Sequence, residues 1–411
     1  MAEQANRRLQ QVQAIITSGE QQLLLLPDDT PVTVRPGLSE KGTALESAGA
    51  FDILLGSRVI ISCQPTNRTA ALIQSALGTT FEKEGNAVPK YTVLEVSTTI
   101  DDLKNEDLWG AVYGLWALFS AQEYVPVKFV DGSFPAHAID YLLGSGLARR
   151  SCDPALVEEV FVDRGNFWQG AGTGPAWGVV RGWMRYEREY AIFPHTQTFT
   201  RTSAVIAQHP LRPPKPPLGT VVYKRWCRPV GKMLSMHVLD VHDEGDMEAF
   251  HRWHNEPRVN KGWGEAGSME KHRAYLAGLI ADPAVLPLVM SWDGERMGYT
   301  EIVWIKENHV APYVPTGAHD YDRGMHVLCG EDRFRGQVFS QAWFRSITHY
   351  CFLSDPRTVR LVGEPKRGNP AIIKTSIDAG MHLETFFYFP YKYSAMTMNL
   401  RERLFKEDMF Q

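Results

Sequence analysis

Two groups of residues in the C-terminal half of the chain have the types and spacing to do chemistry. His326 and Glu364 lie 38 positions apart (364 − 326). That separation suits two neighbouring strands joined by one helical crossover. An imidazole titrates near neutral pH and can take a proton from an attacking nitrogen. A carboxylate beside it would orient the ring and stabilise its charged form. The second group is Arg335-Gly336-Gln337-Val338-Phe339-Ser340, a basic residue, a glycine and a small polar residue between a strand-like and a helix-like run. Backbone N–H groups at such a helix N-terminus can hold a pyrophosphate. Cys329 and Cys351 invite a covalent cysteine route, but neither has a neighbouring base in sequence, and buried free cysteines usually just pack. A covalent intermediate on either thiol is therefore not expected.

The elements that must position these residues are legible around them. LSMHVLDV (234–241) reads as a strand, and Asp243–Asp246 lead into a helix, GDMEAFHRWHNEPRV. LPLVMSW, DGE and MGYTEIVWIKE read as a hairpin about a tight Asp-Gly turn. MHVLCGE is a strand, the loop DRFRG follows, and VFSQAWFRSITHYCFL is an amphipathic helix. TVRLVGEP is the next strand, followed by a loop with Asn369, a helix ending at Gly380, and two short strands within TFFYFPYKYSAMTMNL. Farther upstream, FDILLGSRVIISC (51–63) and YTVLEVST (91–98) look like strands, and 108–124 like a helix. The aromatic-rich run 177–193 fits neither pattern well. HPLRPPKPPLG (209–219) forbids regular structure and favours an extended connector. The expected organisation is therefore an α/β domain over 1–208, a linker over 209–219, and a second domain over 220–411.

Composition narrows the options. The chain has 411 residues, 44% hydrophobic and 22% charged, enough for two folded domains. A net charge of −4 offers no general attraction to nucleic acid. Trp109 to Ala121 is too short to span a bilayer, the N-terminus MAEQANRRLQQVQ lacks a signal-peptide core, and EDMFQ carries no peroxisomal address. A cytoplasmic protein with no membrane partner is expected. Five scattered cysteines form no framework and no metal site.

The order β-α, β-β-β, α-β-α-β resembles that of the GCN5-related N-acetyltransferase fold, a mixed central sheet flanked by helices in an α/β (α+β) class. A degenerate second copy in the N-terminal half is compatible with this reading. HRWHNEPRV (251–259), GYTEIVW (298–304), YDRGMHVLCGEDRFRG (321–336), DPRTVRLVGEPKRGN (355–369) and FPYKYSA (389–395), in that order, resemble the siderophore-biosynthesis N-acyltransferases, and the extra N-terminal domain resembles the long fungal hydroxyornithine acyltransferases. The resemblance implies acyl transfer from an acyl-coenzyme A (acetyl-, anhydromevalonyl- or methylglutaconyl-coenzyme A) to N5-hydroxyornithine, without a metal. It implies His326 and Glu364 at the reacting nitrogen, and Val327, Leu328 and Cys329 along the pantetheine arm. Arg335 to Ser340 would take the pyrophosphate, with Asn369 near the cofactor. Trp253, Asn255 and Trp263 would line the acceptor side, Glu301 and Asp322 would attract its ammonium, and Arg323 its carboxylate. The N-terminal domain would serve as scaffold or in a homodimer. Four positions depart from the pattern of the family or its fold: Val338 replaces a glycine, Tyr391 a histidine, Glu364 the aspartate of many bacterial members, and Ser376 the tyrosine that wider members of the fold often use to reprotonate the thiolate. Two other readings fit the same residues: acetylation of an aminoglycoside or lysine, and a non-catalytic acyl-coenzyme A-binding module.

Overall fold

In a computed structural model the described residues are 18–37, 49–74, 88–186, 193–203 and 205–410, together with Val12, Ala14 and Ile15. Most of the N-terminal MAEQANRRLQQVQ and the stretch 187–192 of the aromatic-rich run lie outside them. The chain divides into two compact units, one ending at Gly182 and the other running from Trp183 to Phe410.

The first unit holds β1 (Gln21–Leu25), β2 (Pro31–Pro36), β3 (Phe51–Leu55), β4 (Arg58–Ala70), β5 (Tyr91–Ser97), β6 (Tyr124–Phe129), β7 (Ala148–Arg150) and β8 (Glu159–Asp163). They form one sheet in the order β1-β2-β3-β4-β5-β6-β8-β7. Every neighbouring pair is antiparallel except β5–β6. Helix α1 (Asn105–Leu118) joins β5 to β6, α2 (Ala136–Gly144) joins β6 to β7, and the short α3 (Arg164–Trp168) follows β8. Gly110 and Gly114 let α1 lie close on the sheet: a Cβ there would come within 2.9 Å of Leu55 and of Ile53. The helical reading of 108–124 is correct in its first part, while Tyr124 already begins β6.

The second unit opens with a hairpin, β9 (Gln197–Arg201) and β10 (Ile206–Pro210). The proline-rich run lies within this unit. The Arg212 guanidinium donates to both oxygens of Glu307 at 2.6 and 2.7 Å, and Lys215 Nζ donates to the carbonyls of Leu279, Asp282 and Val285 at 2.8 to 2.9 Å. An extended backbone held by side chains replaces the ladder hydrogen bonds that proline cannot make.

The main sheet follows: β11 (Val221–Cys227), β12 (Lys232–Val238), β13 (Val285–Trp292), β14 (Glu295–Trp304), β15 (Arg323–Cys329), β16 (Arg360–Gly363), β17 (His382–Tyr388) and β18 (Tyr393–Leu400). Its order is β11-β12-β13-β14-β15-β16-β18-β17, with only β15–β16 parallel. Helices α4 (Glu244–Asn255), α5 (Pro257–Trp263) and α6 (Met269–Ala281) lie between β12 and β13. Next come α7 (Gln337–Leu353) between β15 and β16, α8 (Pro370–Asp378) between β16 and β17, and α9 (Arg401–Lys406) after β18. The two units thus share strand order, strand directions and the places of three helices, so the N-terminal unit is a topological copy of the C-terminal one.

Local chemistry explains these elements. Asp243 Oδ1 accepts from the Asp246 N–H at 2.7 Å and caps α4, a contact worth about 1 kcal/mol. Asp293 and Gly294, at φ +47° and +82°, make the tight turn that suits the twist of β13 and β14. Met247, Phe250 and Trp253 of α4 pack on Val289, Tyr299 and Leu328 of the sheet. Helix α7 is buried nearly all round from Ala342 to Phe352, as a core helix should be.

Candidate functional site

Strands β15 and β16 pair only through Arg323↔Leu361 and Gly324↔Val362. β16 then ends at Gly363, whereas β15 continues to Cys329. The sheet therefore splays, and a cleft of about 1000 Å³ opens beside the rest of β15. Met325 to Cys329, the N-terminus of α7, the start of α8 and the α5–α6 loop line it.

His326 projects into this cleft, its side chain 30% exposed. It stands directly opposite Glu301 in the β14–β15 ladder, a cross-strand position that brings side chains together. His326 Nδ1 lies 2.8 Å from Glu301 Oε2, and Nε2 lies 3.4 Å from Glu364 Oε1. Glu301 Oε1 accepts from the hydroxyls of Tyr275 (2.7 Å) and Tyr299 (3.1 Å). Glu364 is in turn paired with Lys392. Four alternating charges therefore run Glu301, His326, Glu364, Lys392.

Burial by itself would push the imidazole pKa down. The hydrogen bonds and charges of Glu301 and Glu364 outweigh it and raise His326 to about 10. Burial likewise opposes ionisation of Glu301, but His326 and the two tyrosine hydroxyls hold its carboxyl below the ordinary range. Glu364 is held low by His326 and Lys392, again against burial. At neutral pH the ring is an imidazolium between two carboxylates.

Trp263 also lines the cleft, its ring 6.3 Å from that of His326 and at 86° to it. Tyr391 lines the cleft and shares a 2.8 Å hydrogen bond with His309 Nε2. Val327, Leu328, Cys329, Arg335, Gly336, Gln337, Ser340, Asn369 and Ser376 are all at the cleft wall. Gly336 takes φ +109° as it starts α7, a backbone that favours glycine. Asn369 caps α8, its Oδ1 accepting from the Ile372 N–H at 3.4 Å. Burial pushes the Cys329 and Cys351 thiols up to about 11, so neither is a ready thiolate.

Six expected residues sit elsewhere. Trp253 is in the core under α4, its indole N–H donating to Glu331 at 2.8 Å. Asn255 ties the α5–α6 loop, bonding both the N–H and the carbonyl of Gly267. Asp322 is buried against the Arg360 guanidinium. Arg323 is buried too, its guanidinium 4.2 Å from the Trp304 ring centre. Val338 points to solvent, and Phe339 packs on Trp292 and Phe334. Glu301 does line the cleft, but its oxygens are filled by one imidazole and two hydroxyls, so it is the partner of His326 rather than an ammonium anchor. Lys392, Tyr275, His309 and Glu265 reach the cleft without having stood out in the sequence. Only Lys392, in a run already singled out, carried a signal.

The chain is similar to known proteins. Residues 242–389 match the family model for an acetyltransferase (GNAT) domain. The acyltransferase ato1 of Omphalotus olearius is 34% identical over 93% of this chain and 94% of its own length. The hydroxyornithine transacylase SID3 of Ajellomyces capsulatus is 35% identical over 73% of this chain and 71% of its own. The N(5)-hydroxyornithine:cis-anhydromevalonyl coenzyme A-N(5)-transacylase SIDF of Beauveria bassiana is 38% identical over 59% of this chain and 57% of its own. The splayed sheet, the cleft and these relatives define an acyltransferase of the GNAT class. Within it, the chain belongs to the family that includes the acyltransferase ato1 and the hydroxyornithine transacylase SID3.

Proposed function

We propose that the chain transfers an acyl group from an acyl-coenzyme A to the hydroxylamine nitrogen of N5-hydroxyornithine, by direct attack within a ternary complex. The observation that carries this reading is the charged row Glu301–His326–Glu364–Lys392 lining the cleft of about 1000 Å³ that opens where β15 and β16 splay. The activities for which the hydroxyornithine transacylases are named support the choice of acceptor.

The donor's pyrophosphate meets the N–H groups that open α7 after Gly336. Arg335, Lys366 and Lys374 supply positive charge along the same wall. The pantetheine arm takes the free edge of β15, where its amides can pair with backbone as an added strand would. The thioester carbonyl then lies beside His326.

A hydroxylamine nitrogen is weakly basic and uncharged at neutral pH, so it attacks without prior deprotonation. As the C–N bond forms the nitrogen becomes strongly acidic, and a carboxylate of low pKa suffices to take its proton. Glu364 fills that role, because the imidazolium already holds its own proton. His326 positions the hydroxylamine oxygen and holds Glu364 in place. The C–S bond breaks and coenzyme A leaves as the thiolate, which is then protonated. Acetyl-, anhydromevalonyl- and methylglutaconyl-coenzyme A are the donors to compare.

The test is thiol release from each donor with N5-hydroxyornithine, ornithine and N6-hydroxylysine. Release with N5-hydroxyornithine at least tenfold above that with ornithine is expected. Equal rates with all three acceptors, or none above background, would overturn the reading.

A further inference from the structure

The acceptor of the proposed reaction carries an α-ammonium at the far end of its chain, and the cleft must recognise or ignore it. Four carboxylates occur among the described lining residues: Glu265, Glu301, Glu364 and Asp378. Three are committed. Glu301 is 3% exposed, with an imidazole and two hydroxyls on its oxygens. Glu364 holds His326 and Lys392. Asp378 closes α8 at the donor end, where Lys374 Nζ (2.5 Å) and Gln341 Nε2 (3.3 Å) bind it.

Glu265 differs. Gly264, at φ +76°, ends α5 and turns the chain so that Glu265 follows Trp263 along the wall. Its backbone is fixed by a 2.8 Å hydrogen bond between its carbonyl and His272 Nε2. Its carboxylate is 30% exposed, and its cationic partner is Lys271 at 3.2 Å, itself 46% exposed. An exposed pair of this kind is worth little and yields easily to another cation. Glu265 also lies near the buried row. The Tyr275 hydroxyl is raised first by burial, then by Glu301, and also by the charge of Glu265, and Tyr275 reaches His326 through Glu301.

We infer that Glu265 is the specificity-determining carboxylate of the acceptor site, binding the α-ammonium of an ω-N-hydroxylated amino acid whose aliphatic chain lies along Trp263. Three methylenes and the α-carbon, five bonds in all, separate the two nitrogens of N5-hydroxyornithine, a span of about 6 Å when extended; Trp263, whose ring centre is 6.3 Å from that of His326, shares the cleft wall with Glu265. The site thereby favours acceptors whose α-amine is free and charged. This inference rests on the hydroxyornithine reading.

The test compares N5-hydroxyornithine with 5-(hydroxyamino)pentanoic acid, which lacks the α-amine, in the full-length protein and its Glu265→Gln variant. The wild-type protein should favour N5-hydroxyornithine at least tenfold in kcat/KM. Glu265→Gln should lose most of that preference, through KM for N5-hydroxyornithine rather than kcat, with far less effect on the deaminated acceptor. An unaltered KM for acyl-coenzyme A shows that the cleft is intact in the variant. Loss on both acceptors to the same degree, or on neither, would overturn the assignment of Glu265. A wild-type protein that turned over neither acceptor would overturn the activity as well.

Discussion

The protonation of His326 controls the site at the scale of single residues. Two carboxylates hold its ring charged up to about pH 10, so the imidazolium contributes stability that is complete below its ordinary 6.5 and is lost as pH rises through about 10. Glu301 and Glu364 have lowered values, so their share is present above the ordinary 4.5 and is lost as pH falls through the lower folded-state values. Replacing Glu301 by Gln removes one of the two groups that raise the ring. The basic limb of the kcat/KM profile should then move from near pH 10 toward neutrality, and turnover at pH 8 should fall several-fold. A pH–rate profile checks this; a basic limb that stays in place would mean that Glu301 does not govern the ring. His326→Ala should lower turnover at least tenfold while leaving donor affinity within about twofold, since in the proposed complex the ring stands beside the thioester rather than the phosphates.

At the scale of elements, the proposed donor site depends on where α7 begins. The helix opens after a glycine at positive φ and has no acidic residue in its first turn, so its N–H groups are open to an anion. Arg335 beside it is half exposed, with Asp332 at 3.1 Å as a neighbour. Arg335→Glu should weaken acyl-coenzyme A binding about tenfold, and raising the salt concentration should narrow the gap between the two proteins. Calorimetric titration at two ionic strengths measures both effects. An unaltered affinity would place the pyrophosphate elsewhere.

For the whole molecule, the repeated topology raises the question of a second donor site. The helix of the first unit that corresponds to α7 is α1, and its first turn carries Glu106 and Asp107. Glu106 Oε1 accepts from the Val180 N–H at 2.8 Å, and Asp107 pairs with Arg58 and Arg181. Carboxylates thus occupy the end where a phosphate would have to sit, and like charge there repels it. One acyl-coenzyme A should bind per chain. A titration giving two equivalents would show that the first unit retains the function of its fold.

Much of this was readable from the residues because local rules act over short distances. The Asp-Gly turn, the Asp243 cap, Gly336 before a long buried helix, and the spacing from His326 to Glu364 each follow from backbone preferences or strand periodicity. The sequence by itself therefore determined the C-terminal fold, the loop that opens α7 and the His326–Glu364 pairing. Only the tertiary structure decided the rest. Glu301 faces His326 because of a register set across the long connection from Ile305 to Asp322, and no local signal fixes such a register. The same holds for Trp253, Asp322 and Arg323, whose types suggest binding but whose places in the packing bury them. Glu265 and Tyr275 meet the cleft through the fold of three helices between β12 and β13. Which charges remain available to a substrate depends on which have already been matched within the folded chain, and that matching exists only once distant segments have packed.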